Sequence, residues 1–317
     1  MKKIFKPTHL EHLIMKQNTF LKSAITSAIL LSFNNGAFAE SQTPGQFDTF
    51  LSAAVGSSDL DENRLLDAEA DKPTVFRLST GYTALNGLGG QIDVVNSNQG
   101  MQFADVNVDS DALDIAGHLF YRTETFQIGG FYQKRFNNLD VNFGDPSADF
   151  WLDASIDRSM DKEHFYGVEG MAFLGDATIS GMIGKHKIEG DFFDASLNTE
   201  SKIASLDLRY FANDNLRIDA GLARESYDEM YSMPFDAKTS TYSLGVEYRL
   251  QNNPLSLFAN YSRHNSDFEG LDLSENVYMV GVKVNFGSES LKNRDRMGVN
   301  LDPIQTHSAS VIPGLYF

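Results

Sequence analysis

The sequence has no cysteine among its 317 residues, which removes disulfides, thiolate metal sites and cysteine nucleophiles. Basic residues are scarce: 26 Lys plus Arg stand against 43 Asp plus Glu, a formal charge of −17. A phosphate backbone recruits basic surface, so no nucleic-acid partner is expected. Long apolar runs are missing too. The one sustained run, Ser23 to Phe33, covers 11 residues. A bilayer-spanning helix needs roughly 20, so a polytopic helical membrane protein is excluded. Proline is rare, at 8 residues, whereas 25 Gly, 24 Phe and 12 Tyr are a bias toward strands and tight turns.

The short apolar run follows Lys16 and Lys22 and precedes Ala37-Phe38-Ala39. A positive region, an apolar region and a small-x-small site are the parts of a secretory signal peptide. Residues 1–39 are therefore expected to be cleaved after Ala39, with Met15 as an alternative start. Their removal takes away Lys2, Lys3, Lys6, Lys16, Lys22 and Glu11, leaving 21 basic and 42 acidic residues and a formal charge of −21.

Period-two alternation recurs through the rest of the chain. In the clearest case Tyr278, Val280, Val282, Val284 and Phe286 alternate with Met279, Gly281, Lys283 and Asn285. Such a strand has one apolar face and one that tolerates charge. Twelve segments of this kind are predicted, over 46–56, 74–85, 88–97, 111–122, 125–136, 163–174, 177–188, 202–212, 215–226, 239–250, 254–265 and 276–286. Strands this long suit a tilted membrane crossing better than a soluble sheet. The third is the weakest, and ten strands is the fallback. Short turn-forming links (Asn86-Gly87, Thr123-Glu124, Gly175-Asp176, Asn213-Asp214, Gln251-Asn252-Asn253) alternate with long connections at 57–73, 98–110, 137–162, 189–201, 227–238 and 266–275. Extending the last to Asn265, these connections hold 25 acids and 5 basic residues, so one rim is expected to be strongly acidic.

Parity assigns the faces. Phe76, Leu78, Tyr82, Leu113, Ile115, Leu119, Tyr121, Phe126, Ile128, Tyr132, Leu206, Leu208, Tyr210, Tyr242, Leu244, Val246 and Tyr248 fall on the lipid face, with aromatics near the strand ends. The opposite face carries Arg77, Asp93, Asp114, His118, Arg122, Arg135, Glu169, Asp207, Arg209, Arg217, Asp219, Glu247, Arg249 and Lys283. All of these except Asp93 and His118 are the pore-lining candidates. The chain thus reads as all-β, a transmembrane antiparallel up-and-down barrel of about 12 strands.

With its signal peptide, alternating strands and Tyr278-x-Val-x-Val-x-Val-x-Phe286, the chain resembles Gram-negative outer-membrane β-barrel proteins, porin-like ones above all. The resemblance covers nearly all of the mature chain at the level of architecture. It implies that Tyr278, Val280, Val282, Val284 and Phe286 are the strand signal read by the barrel assembly machinery. It also implies an outer-membrane location among lipid and lipopolysaccharide, passive diffusion of small polar solutes, and a homo-oligomer as one open arrangement. One departure is clear. In most such proteins the signal strand ends the chain, whereas here residues 287–317 continue as a periplasmic tail or a plug. An alternative places the terminal strand at Ala309–Phe317, against which Pro313 argues.

The densest charge group is Asp207, Arg209, Arg217, Asp219, Glu247 and Arg249. Hairpin geometry is expected to put Arg209 near Arg217 and Asp207 near Asp219, with opposite charges meeting diagonally. A structural network shaping a pore is the favoured role. Arg77, Arg122, Arg135 and Lys283 facing acids would set up a transverse field. Catalysis is not expected. His264-Asn265-Ser266 is the nearest approach to a hydrolase pair, but parity turns both functional groups inward and no orienting motif surrounds them. Asp59-Leu60-Asp61-Glu62-Asn63 begins like a calcium loop, but Arg64 stands where glycine belongs and Ala70 at the twelfth position. No metal and no cofactor is expected.

Overall fold

The computed structural model describes residues 47–61, 68–70, 72–103, 106–143, 158–192, 195–230, 233–268 and 271–303. The proposed signal peptide and the alternative terminal strand at 309–317 lie outside these residues.

All twelve expected segments are strands. They are β1 (Phe47–Asp61), β3 (Thr74–Thr83), β4 (Leu88–Phe103), β5 (Val106–Arg122), β6 (Phe126–Phe143) and β7 (Arg158–Leu174). The ring continues through β8 (Ala177–Phe192), β9 (Ala195–Asn213), β10 (Leu216–Met230), β11 (Met233–Arg249), β12 (Leu255–Phe268) and β13 (Leu271–Phe286). A short β2 (Ala68–Ala70) pairs only with the far end of β4. Each long strand pairs antiparallel with its neighbours in sequence, and β1 pairs with β13, from Thr49↔Phe286 to Asp61↔Ser274. The result is a closed twelve-stranded up-and-down barrel with no free edge in the wall.

The long connections expected from the pattern are in large part strand. Pairing runs on to Phe103↔Val106, Phe192↔Ala195, Met230↔Met233 and Phe268↔Leu271. The ladder needs only backbone groups. The period-two signal needs one face in lipid, and it fades where the strand rises into water although the hydrogen bonds continue. Many of the acids assigned to loops therefore lie along these strand extensions.

The face assignment by parity matches the exposure of the side chains. Leu119, Ile128, Leu206 and Leu244 are 77%, 60%, 55% and 59% exposed on the outer wall, whereas Arg77, Asp93, Asp114 and Arg135 are buried inside. Of the assembly-signal residues, Tyr278, Val280 and Val282 are exposed outward, and Val284 and Phe286 are half-buried on the same strand.

After β13 the chain turns into the lumen. Gly287 takes φ +115°, and a Cβ there would lie 2.9 Å from the Phe47 carbonyl oxygen, so glycine is required at the turn. A single helical stretch, α1 (Leu291–Met297), follows. The Ser290 hydroxyl caps it by accepting from the Asn293 N–H at 3.0 Å, and the Gly298 N–H closes it on the Arg294 carbonyl at 2.8 Å. Leu291, Val299 and Leu301 are buried, and Leu301 joins Phe120, Met171 and Phe173 in an apolar cluster. Burying three such side chains contributes roughly 5–9 kcal/mol before the entropy of ordering the tail is subtracted.

Candidate functional site: the lumen and its floor

The barrel encloses a cavity of about 450 Å³ whose lining includes Leu301, Asp302 and Pro303 of the tail. Ten of the twelve pore-lining candidates line it: Arg77, Asp114, Arg135, Glu169, Asp207, Arg209, Arg217, Asp219, Glu247 and Lys283. The other two, Arg122 and Arg249, end their strands next to the turns and bond to the tail. Arg122 donates to the Gly298 carbonyl and to Asn300 Oδ1, both at 2.9 Å, and Arg249 donates to the Ser288 carbonyl at 2.5 Å.

The wall charges are paired locally. Asp114 and Arg135 face each other in the β5–β6 register, with Arg135 Nε 2.8 Å from Asp114 Oδ1. Arg77 lies 2.8 Å from Asp93, and Lys283 lies 2.8 Å from Glu247. Glu247 also receives Arg294 of the tail at 3.1 Å and Arg217 at 3.4 Å. Arg77 and Arg135 each sit against a carboxylate of a neighbouring strand, whereas Lys283, Arg217 and Arg294 share Glu247, so cations and acids are interleaved here rather than segregated to opposite walls as a transverse field requires.

The β9–β10 register differs from the expected one. The turn falls on residues 214–215, and the ladder shifts at the start of β10, so Arg217 faces Phe211 and Asp219 faces Arg209. Asp207 faces Gly221, where a Cβ would stand 2.4 Å from its Oδ1. Opposite charges now meet directly rather than diagonally, which avoids the like-charge contacts of the expected pairing.

Two histidines are held between carboxylates. His118 Nδ1 is 2.9 Å from Glu169 and its Nε2 is 3.3 Å from Asp93. His186 Nδ1 is 2.8 Å from Glu225 and its Nε2 is 3.4 Å from Glu163, with its ring stacked on Phe165 at 3.9 Å. Parity placed His118 inward, but the partners of both histidines come from adjacent and next-but-one strands, β4 and β7 for His118 and β7 and β10 for His186, a register that no local pattern carries. His264 and Ser266 are buried and inward. His264 bonds the hydroxyls of Thr241 and Ser262, each at 2.9 Å, and Ser266 bonds Thr239 at 3.0 Å. Among the described residues, no group of three or more His, Asp or Glu is arranged to hold a metal ion.

The tail residues that floor the cavity are those that pattern reading passed over. Asp302 accepts from Arg77 Nη1 at 2.5 Å and from Arg209 Nη2 at 2.7 Å. Asp295 accepts from Arg209 Nη1 at 2.9 Å and from the Thr178 hydroxyl at 2.5 Å. Leu301 is fastened through its carbonyl to Arg77 and Gln91, each at 2.7 Å. Asp302 is enclosed by the wall, yet 57% of its side chain is open to the cavity. Enclosure on its own would raise its carboxyl, but Arg77 and Arg209 outweigh that and hold it well below the ordinary carboxylate range. The one signal for this arrangement in the sequence was a tail rich in charge, with Lys292, Arg294 and Arg296 close together.

No protein-family model and no curated protein matches the chain. Solved structures do. The translocator domain of the autotransporter NalP from Neisseria meningitidis superposes with a TM-score of 0.56 at 12% identity, over 84% of this chain and 97% of that one. An outer membrane channel from Pseudomonas putida F1 gives the same TM-score and identity, over 78% of this chain and 97% of that one. This chain has the fold of the outer-membrane β-barrels. At such identities the likeness concerns the fold alone.

Proposed function

We propose that this protein is a passive channel of the Gram-negative outer membrane, exported through a cleaved signal peptide, which admits small hydrophilic solutes and prefers cations. The observation that carries this reading is the 450 Å³ cavity left open inside a closed barrel, lined by charged and polar side chains interspersed with apolar ones. The preference for cations rests on the acids along the strand extensions, which concentrate positive ions at one mouth. Lipopolysaccharide would surround that rim, and the signal on β13 would be read by the assembly machinery. Diffusion asks for no catalytic group. The decisive experiment is conductance of the purified full chain in planar bilayers under a potassium chloride gradient. Steady current with a reversal potential favouring potassium is expected. Electrical silence from folded, inserted protein would sink the reading.

A second reading, a non-conducting barrel acting through its outer surface, is favoured by one specific observation. The tail lies across the turn end of the lumen and bonds to β1, β3, β5, β8, β9 and β11. The same bilayer recording separates the two.

A further inference from the structure

The inward arginines at the floor form two opposed pairs. Around the ring of twelve strands, Arg77 on β3 and Arg209 on β9 are six strands apart, and so are Arg122 on β5 and Arg249 on β11. Six of twelve is half a turn, so each pair faces itself across the lumen. Between Arg77 and Arg209 lies one carboxylate, Asp302, with one oxygen on each guanidinium at 2.5 and 2.7 Å. The two arginines differ in their other partners. Arg77 keeps Asp93 and Ser79 on its own wall. The hydrogen bonds described for Arg209 all go to the tail: Asp295, the Asn300 carbonyl and Asp302. Both guanidinium side chains are more than nine-tenths buried, while Asp302 faces the cavity.

We propose that Arg77 and Arg209 form a carboxylate-binding site on the lumen axis, and that Asp302 of the chain's own tail is its resident ligand. Two guanidinium N–H donors converging from opposite walls, one on each oxygen, match a carboxylate better than a spherical anion such as chloride. A tethered ligand competes at high effective concentration, so a free organic acid reaches the pair only when the tail lets go. The ligand class is a small carboxylate, alone or as the end group of a larger acidic solute. Passage of that solute through the barrel rests on the channel reading, but binding does not.

The test uses the full chain folded in detergent. Isothermal titration with sodium acetate, at constant ionic strength set by sodium chloride, compares wild type with Asp302→Ala. The vacated site should take up acetate, and wild type should bind it at least about tenfold more weakly. Adding Arg209→Gln to Asp302→Ala should cost about tenfold or more in acetate affinity. Asp302→Asn, which keeps the size of the side chain without its charge, gives the same comparison if the alanine variant does not fold. Folded Asp302 variants that bind acetate no better than wild type would overturn the proposal, as would binding indifferent to Arg209→Gln. Acetate binding without conductance in bilayers retains the site and removes the channel. Conductance without acetate binding does the reverse.

Discussion

At Gly298 a side chain fits only if Asp48 gives way. A Cβ there would fall 1.9 Å from Asp48 Oδ2, the atom that accepts the Val299 N–H at 2.8 Å. Gly298→Ala should push Asp48 aside, break that bond and weaken tail docking by about 1–3 kcal/mol. Trypsin checks this, because Lys292, Arg294 and Arg296 offer cut sites that docking protects. Faster cleavage in the variant, with the barrel intact, is the expected result. Asp302 makes a second residue-scale prediction. Its carboxyl is held below the ordinary 3.8, so its contribution to docking is complete above that pH and is lost as pH falls through the lowered value. A dye on Glu289→Cys, the sole thiol in the chain, should report no change from pH 7 to about 4 and undocking only below. A midpoint near pH 5 or 6 would contradict the ion-pair geometry.

At the scale of elements, the absence of native cysteine makes the tail easy to tether. A Cβ on Gly81 of β3 would lie 3.4 Å from Val299 Cγ2, within reach of a disulfide between Gly81→Cys and Val299→Cys. Oxidation should fix the tail on the wall and hold conductance at the wild-type level or lower, and reduction should restore the untethered behaviour. Current that rises on oxidation would mean that the tail does not obstruct the lumen. The strands were legible from the sequence because lipid on one side and water on the other write a period of two into each of them. Even the weak third segment, with Ile92 outward and Asp93 inward, obeys that rule. The rest was hidden for identifiable reasons. Strand extensions in water carry no such period. The β9–β10 register turns on one shifted turn, so Arg209 met Asp219 instead of Arg217. The tail's place depends on arginines from distant strands, which leave no mark near residues 295 or 302.

For the whole molecule, closure by β1 and β13 leaves the outer wall as a continuous apolar belt. Val280 lies within that belt, opposite Val55 and Ala259 and 58% exposed. Val280→Arg should therefore destabilise the folded barrel by about 2–4 kcal/mol if it sits near the bilayer midplane, measured by urea unfolding in lipid vesicles. An unchanged midpoint would place that face away from lipid. The opposed arginines also constrain the order of events during folding. Arg77 and Arg209 approach one carboxylate from opposite sides only after every strand between them has paired and the ring has shut. The tail is also the last described segment of the chain, after β13. Its docking is thus a terminal step that signals completion: a chain with an open seam has the ligand but not the socket, and only a finished barrel has both.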